Sequence, residues 1–207
     1  MNPQPSVFLV DDDEAVRDSL SLSLEMDGLK VECFASARDF LESYDASRPG
    51  CLVLDVRMPD MSGLELQEVL ATRRITIPII FITGHGDVPM SVKAVKAGAV
   101  DFLEKPFKKE VLQERIQEAL AQDAQMRKEW AERQQLRRRL EHLTPREQEV
   151  MALVVGGHSN KDIARRLDIS PRTVETHRAR IMEKMGATSL PDLVTLAAAC
   201  GMITANE

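Results

Sequence analysis

No apolar run in these 207 residues approaches the roughly 20 that a membrane-spanning helix needs, so no transmembrane segment is expected. The opening residues, MNPQPSVFLVDDDE, lack a basic start and hold only a short apolar run, so no secretory leader is expected either. Cysteine is scarce: Cys33, Cys51 and Cys200 are an odd number and form no CxxC pair. That argues against a disulfide framework and for reduced thiols in a cytoplasmic protein. Internal repeats and low-complexity segments are absent. Between Phe107 and Thr144 there is neither glycine nor proline, which leaves one long stretch of strong helix formers.

What is present is an ordinary globular composition, with room for one large domain or two modest ones. The net charge of −6 is unevenly spread. Residues 1–125 hold 13 Lys and Arg against 22 Asp and Glu, whereas residues 126–207 hold 14 against 11. An acidic front and a basic back point to two modules with different partners.

The first 106 residues alternate short apolar runs with helical patterns. Val7–Val10, Val31–Phe34, Leu52–Leu54, Ile79–Ile82 and Val100–Leu103 read as strands, apolar throughout as in a sheet buried on both faces. Glu14–Asp27, Ala37–Tyr44, Gly63–Arg73 and Pro89–Ala97 read as the helices between them, so a parallel sheet covered on both sides is expected. After Phe107, Leu112, Ile116, Ala119, Met126, Trp130 and Leu140 keep a 3/4 spacing broken by Asp123, Arg133 and Arg137. One helix should therefore run on as a linker, with a seam too interrupted for a permanent coiled coil. Four short helices follow. The first starts at a capping box, Thr144-Pro145-Arg146-Glu147, and ends at Gly156-Gly157; the others start at Ser159, Ser170-Pro171 and Ser189. Such spacing suits a helix-turn-helix module. The expected boundaries are 1–121, a helical linker over 122–141, and 142–207.

In an open parallel sheet, ligands bind beyond the carboxyl ends of the strands. Asp11 and Asp12 follow the first strand, Asp55 the third, Thr83 the fourth and Lys105 the fifth. Each alone is unremarkable as a helix cap or surface charge, but five side chains at one sheet end is an informative coincidence. Clustered carboxylates repel one another and call for a cation; all-oxygen ligands suit Mg²⁺. Lys105 and the Thr83 hydroxyl would orient a transferred phosphoryl group, with Asp55 as the carboxylate nucleophile that becomes an aspartyl-phosphate.

VDDDEAVR, LVLDVRMPDMSG, FITGHGD and DFLEKPF, in that order, resemble the receiver domain of bacterial two-component response regulators. The resemblance implies a doubly wound α/β domain with five parallel strands in the order 2-1-3-4-5. It implies Asp12 and Asp55 as direct Mg²⁺ ligands, Asp11 acting through water, and the Arg57 carbonyl as a further ligand. Thr83 and Phe102 become a switch pair, while Asp13 receives no direct role. Arg57 and His85, two residues past Asp55 and Thr83, read either as plain surface residues or as side chains that flank the phosphoryl group and tune its lifetime. A partner histidine kinase would donate the phosphoryl group. A homodimer would then form through Val92, Lys93, Val95 and Lys96 against Asp101 and Glu104.

The basic end carries a second signal. On a helical wheel Val174, Ile181 and Met185 share one face, with His177 and Arg178 at its edges. Arg172, Thr176 and Ala179 point the opposite way, flanked by Glu175 and Arg180. The first stripe reads as core, and His177, with no second ligand nearby, as structural. The second face suits a DNA groove, where an arginine and small residues approach base edges and flanking cations meet phosphates. Charge alone does not decide this, because residues 142–207 balance at 8 against 8. LTPREQEVMALVVGGHSNKDIARRLDISPRTVETHRARIMEKMG, however, resembles the LuxR-type helix-turn-helix. Receiver plus this module is the architecture of the FixJ/NarL family, with the FixJ-like branch the closer match. The resemblance makes Ser170–Met185 the recognition helix and Ser159–Leu167 its scaffold. Asn160, Lys161 and Thr173 join the outward face as DNA contacts. Glu175 departs from many relatives, which carry lysine there.

The expectation is a cytoplasmic transcription factor rather than an enzyme. It would bind a double-stranded operator as a dimer and act on RNA polymerase. Two rivals stand beside it. A haloacid-dehalogenase-like phosphatase would carry DxD after its first strand, unlike LVLDVRMPD after the third. A receiver that works without phosphate would not be labelled by acetyl phosphate.

Overall fold

The computed structural model describes residues 4–84 and 98–201. The helix expected over Pro89–Ala97, with His85, Val92, Lys93, Val95 and Lys96, lies outside the described residues. The chain divides into two compact units, Met1–Met126 and Arg127–Glu207.

In the first unit β1 (Ser6–Val10), β2 (Lys30–Phe34), β3 (Gly50–Asp55), β4 (Ile79–Thr83) and β5 (Asp101–Glu104) form one parallel sheet in the order 2-1-3-4-5, as expected. The helices are α1 (Glu14–Met26), α2 (Ala37–Ser43), α3 (Gly63–Thr72) and the first turns of α4 (Lys109–Glu141). Strand side chains alternate between two faces. Phe8, Val10, Leu52, Leu54 and Phe81 pack with Phe40 of α2 and with Leu66 and Leu70 of α3. Val7, Leu9, Val53, Ile80 and Ile82 pack instead with Leu24 of α1 and with Leu112, Ile116 and Ala119 of α4. Each such buried side chain is worth about 1.5–3 kcal/mol of transfer free energy. These two apolar layers hold the strand ends, and hence the polar residues just beyond them, in fixed register.

Asp123 interrupts the apolar seam of α4 for a reason. Its buried carboxylate accepts the Gly50 N–H at 2.9 Å, fastening the helix to the start of β3 across 73 residues of sequence. Cys51, buried beside it, has its thiol pushed up to about 12, first by burial and then by the Asp123 charge. Such a thiol is inert.

In the second unit the last turns of α4 pack with α5 (Pro145–Val155), α6 (Asn160–Leu167), α7 (Pro171–Met185) and α8 (Leu190–Ala199). Each of the four short helices begins at a hydroxyl cap: Thr144, Ser159, Ser170 and Ser189. Asp168, in the left-handed region at φ 51°, ends α6 and turns the chain into α7. The core holds Val150, Met151, Ile163, Val174, Ile181, Met185 and Leu193. Leu136 of α4, outside the 3/4 series, is buried with them, while Trp130 within that series is 66% exposed. No helix among the described residues is long and apolar enough to cross a membrane.

Candidate functional site

Three of the five polar residues at the sheet's carboxyl end meet directly. Asp11 follows β1, Asp55 closes β3 and Lys105 follows β5; strand order puts β3 beside both β1 and β4. The Lys105 ammonium donates to Asp11 Oδ2 at 2.7 Å and to Asp55 Oδ1 at 2.9 Å. Asp11 and Asp55 are both buried. The second Asp55 oxygen accepts the Arg57 N–H at 2.6 Å, and Asp11 Oδ1 accepts the Asp13 N–H at 2.9 Å. Lys105 is itself held in place by its N–H, which donates to the Thr83 carbonyl at 2.7 Å.

Charge at this end is finely balanced. Burial pushes the Asp55 carboxyl above the usual aspartate value, against the opposing pull of Lys105 and the Arg57 N–H; the Asp11 charge adds to the rise. Burial disfavours the Lys105 cation as well, yet its bonds to Asp11 and Asp55 hold its pKa above the ordinary lysine value. Burial thus wins at the more enclosed partner and ion pairing at the more open one.

Thr83 is buried at the end of β4, and Phe102, half-buried on β5, lies with its ring centroid 6.2 Å from that of Phe81. Asp12 and the Arg57 side chain are exposed. Among the described residues, no group of three or more His, Cys, Asp or Glu side chains stands ready to hold a metal ion. Lys105 instead occupies the space between Asp11 and Asp55. One ammonium faces the two carboxylates of Asp11 and Asp55, and Asp12, next along the chain from Asp11, is exposed. An all-oxygen donor set with negative charge in excess fits a hard divalent ion.

Two contributors were given no site role in the sequence. Gly63 opens α3 directly behind Asp55: a Cβ there would lie 2.3 Å from the Asp55 carbonyl oxygen, and the Gly63 N–H donates to the Val56 carbonyl at 3.0 Å. The MSG triplet was its only local sign. Asp13 caps α1 by accepting the Ala15 N–H, so the third aspartate fixes the start of that helix. Its signal was present: an aspartate immediately before a helix.

On the second unit, Arg172, Thr173, Glu175, Thr176, Ala179 and Arg180 of α7 are exposed, opposite buried Val174, Ile181 and Met185. The Thr176 hydroxyl donates back to the Arg172 carbonyl at 3.1 Å, so it presents a methyl and lone pairs outward. Ser170 caps the helix and its hydroxyl engages that of Thr173 at 2.8 Å. Lys161 is exposed on α6. Arg178 is half-buried and donates to Asn160 Oδ1 at 3.0 Å, which braces α7 against α6. His177, half-buried, has a ring Nδ1 shut away from water without a hydrogen-bond partner. Asp101 forms an ion pair with Arg115 at 2.9 Å within the chain, and Glu104 is exposed.

Comparison with known proteins identifies the family of each unit. The response regulator receiver domain family matches residues 7–117, and the luxR family of bacterial regulatory proteins matches residues 141–197. The chain is similar to the transcriptional regulatory protein FixJ of Rhizobium meliloti, 51% identical over 95% of this chain and 96% of that protein. It is also similar to the response regulator TodT of Pseudomonas putida, 50% identical over 91% of this chain and 83% of the relative. Among solved structures, response regulator StyR superposes with a TM-score of 0.88 at 46% identity, covering 95% of this chain and 99% of that one. The chain therefore belongs to the FixJ/NarL-type response regulators, DNA-binding regulators of transcription in which a receiver domain is joined to a luxR-family helix-turn-helix module.

Proposed function

We propose that Asp55 accepts a phosphoryl group from a partner histidine kinase in the cytoplasm, and that this phosphorylation controls dimerisation and operator binding. The observation that carries the reading is Lys105 bridging buried Asp11 and Asp55 at 2.7 and 2.9 Å. An Asp55 carboxylate oxygen attacks phosphorus, a P–O bond forms as the donor's P–N bond breaks, and the leaving imidazole takes up a proton from solvent. Lys105, already beside the nucleophile, stabilises the negative charge spread over the phosphoryl oxygens. Asp12, Asp55 and the Arg57 carbonyl would hold Mg²⁺, with Asp11 acting through water; the ion supplies further neutralisation of phosphoryl charge. The Arg57 side chain and His85 set how readily water reaches the phosphate.

The added phosphate draws the Thr83 hydroxyl toward it, and Phe102 turns into the space vacated. This reshapes the surface beside β5. A two-fold dimer would use Val92, Lys93, Val95 and Lys96 against Glu104 and Asp101. Because Asp101 is already paired with Arg115, the apolar valines and Glu104 carry more of this contact than Asp101 does. Dimerisation places two copies of α7 on two operator half-sites, and the bound dimer acts on RNA polymerase. Arg172, Thr173, Glu175, Thr176 and Ala179 face the bases, with Asn160, Lys161, Arg178 and Arg180 toward the phosphates.

Labelling with acetyl phosphate and Mg²⁺ tests the chemistry. Wild type should incorporate one phosphoryl group and Asp55→Asn none, since the amide keeps the shape but not the nucleophile. Labelling of the mutant at another residue would overturn the assignment. Sedimentation with beryllofluoride should convert monomer to dimer; a persistent monomer that binds a palindromic site tightly would refute the coupling.

A further inference from the structure

We propose that Arg139, near the end of α4, is a positioning residue for DNA recognition, capping the carboxyl end of α7 and setting the angle at which that helix meets the bases. The inference rests on α7 being the reading helix.

The last carbonyls of a helix lack partners within it and carry partial negative charge, so a cation placed there is favourable. α7 ends at Gly186, in the left-handed region at φ 69°. The turn itself serves two carbonyls, through Gly186 N–H to Glu183 at 3.1 Å and Ala187 N–H to Met182 at 2.9 Å. The Met185 carbonyl is served from another helix: Arg139 Nη1 donates to it at 2.9 Å. The guanidinium lies so close that a Cβ at Gly186 would stand 2.8 Å from Arg139 Nη1.

A second cation runs the other way. Lys184, in the last turn of α7, donates to the His142 carbonyl just past α4 at 3.2 Å and to buried Glu147 at 2.6 Å. The end of α4 and the end of α7 thus each place a cation on a carbonyl of the other. Leu136 and Leu143, on either side of Arg139, are buried in the same core, which leaves this segment little room to shift. At the far side, Arg178 and Asn160 brace α7 against α6. Arg172 lies about 20 Å along the helix from the cap, so a tilt of a few degrees moves it by about 1 Å. Arg139 therefore acts on base contacts it does not itself make.

The test uses the full-length protein and a duplex selected by the wild type from a randomised library, with a scrambled duplex as the non-specific reference. Arg139→Met should lower the specific-to-non-specific affinity ratio about tenfold, the size of one misplaced base contact. Affinity for the scrambled duplex and the salt slope should stay unchanged, and Arg139→Lys should restore most of the ratio. Gly186→Ala, which pushes a methyl against the guanidinium while keeping its charge, should lower the ratio in the same way. Arg172→Ala, Glu175→Ala and Thr176→Ala serve as controls for α7 itself. An unchanged ratio in Arg139→Met, with these controls losing specificity, overturns the positioning role alone. A salt slope reduced by about one unit overturns it too, because Arg139 would then be touching a phosphate. If all three controls keep wild-type specificity, the reading of α7 fails and the inference falls with it.

Discussion

The Lys105 ammonium lies 2.9 Å from Asp55 Oδ1, between residues 50 positions apart in sequence, and it is the counter-charge that lets a buried carboxylate remain ionised. Lys105→Met leaves Asp11 and Asp55 facing each other without it. Asp55 is already raised by burial, so the folded receiver takes up its proton more readily than the unfolded chain. Stability on this account falls as pH rises from the ordinary aspartate value, 3.8, through the higher folded-state one. Removing Lys105 should extend that loss to higher pH. At neutral pH the mutant should be less stable by about 1–3 kcal/mol, a buried-pair figure reduced because Lys105 is partly open to water. Urea unfolding of both proteins across pH 4 to 8 checks this (about one pH unit per step suffices).

Gly63→Ala should damage the proposed phosphorylation site without touching a charged group. The new methyl would fall 2.3 Å from the Asp55 carbonyl oxygen, so either the end of β3 or the start of α3 must move. A cost of about 1–3 kcal/mol is expected from overpacking. Acetyl phosphate labelling should slow more than stability alone explains; labelling at the wild-type rate would show that the carboxylate had not shifted.

On the proposed DNA surface, Glu175 and Arg178 should behave differently. An exposed carboxylate facing a base edge can accept from cytosine N4, worth about 1–3 kcal/mol of discrimination. Glu175→Ala should therefore relax preference at one position of each half-site, read out by binding to single-base variants. If every affinity scales equally, the placement of that side chain is wrong.

Arg178 and Asn160, joined at 3.0 Å, should act as a unit. The double mutant Asn160→Ala/Arg178→Ala should lose less DNA affinity than the two single mutants summed, with a coupling of about 0.5–3 kcal/mol. Strict additivity would mean that each side chain meets DNA independently.

Glu147 and Lys184 supply an acid-sensitive link in the second unit. The Lys184 ammonium, followed by the Thr144 N–H, holds the buried Glu147 carboxyl down at about 2 against an ordinary 4.5. A depressed carboxylate contributes stability that is complete above about 4.5 and disappears as pH falls toward about 2. With the Lys184 side chain 34% exposed, the contribution is on the order of 1 kcal/mol. Glu147→Gln should lower the denaturation midpoint near pH 7, and the gap from wild type should close on acidification; a gap independent of pH would show that the ion pair contributes nothing.

Much of the architecture was legible in the chain because its signals are short-ranged. Thr144 and Glu147 mark a helix start three residues apart, and Thr144 does cap α5. Strand alternation needs only neighbours, and the Val174, Ile181 and Met185 stripe follows from helical period; all three are buried. The order of the strands came through the family motifs, and the sheet has that order. What remained hidden joins residues that no local period relates. Asp123 looked like a flaw in an apolar seam until Gly50, 73 residues away, was seen to donate to it. Arg139 lay unassigned within the expected linker, and it caps a helix that ends 46 residues later. Gly63 stood only as the first residue of an expected helix, and it makes room for the Asp55 backbone. Periodicity and capping depend on the nearest few residues and are written in sequence. Which carbonyl a guanidinium reaches, or which backbone a missing Cβ admits, depends on how whole elements are stacked, and only the packed cores of the two units decide that.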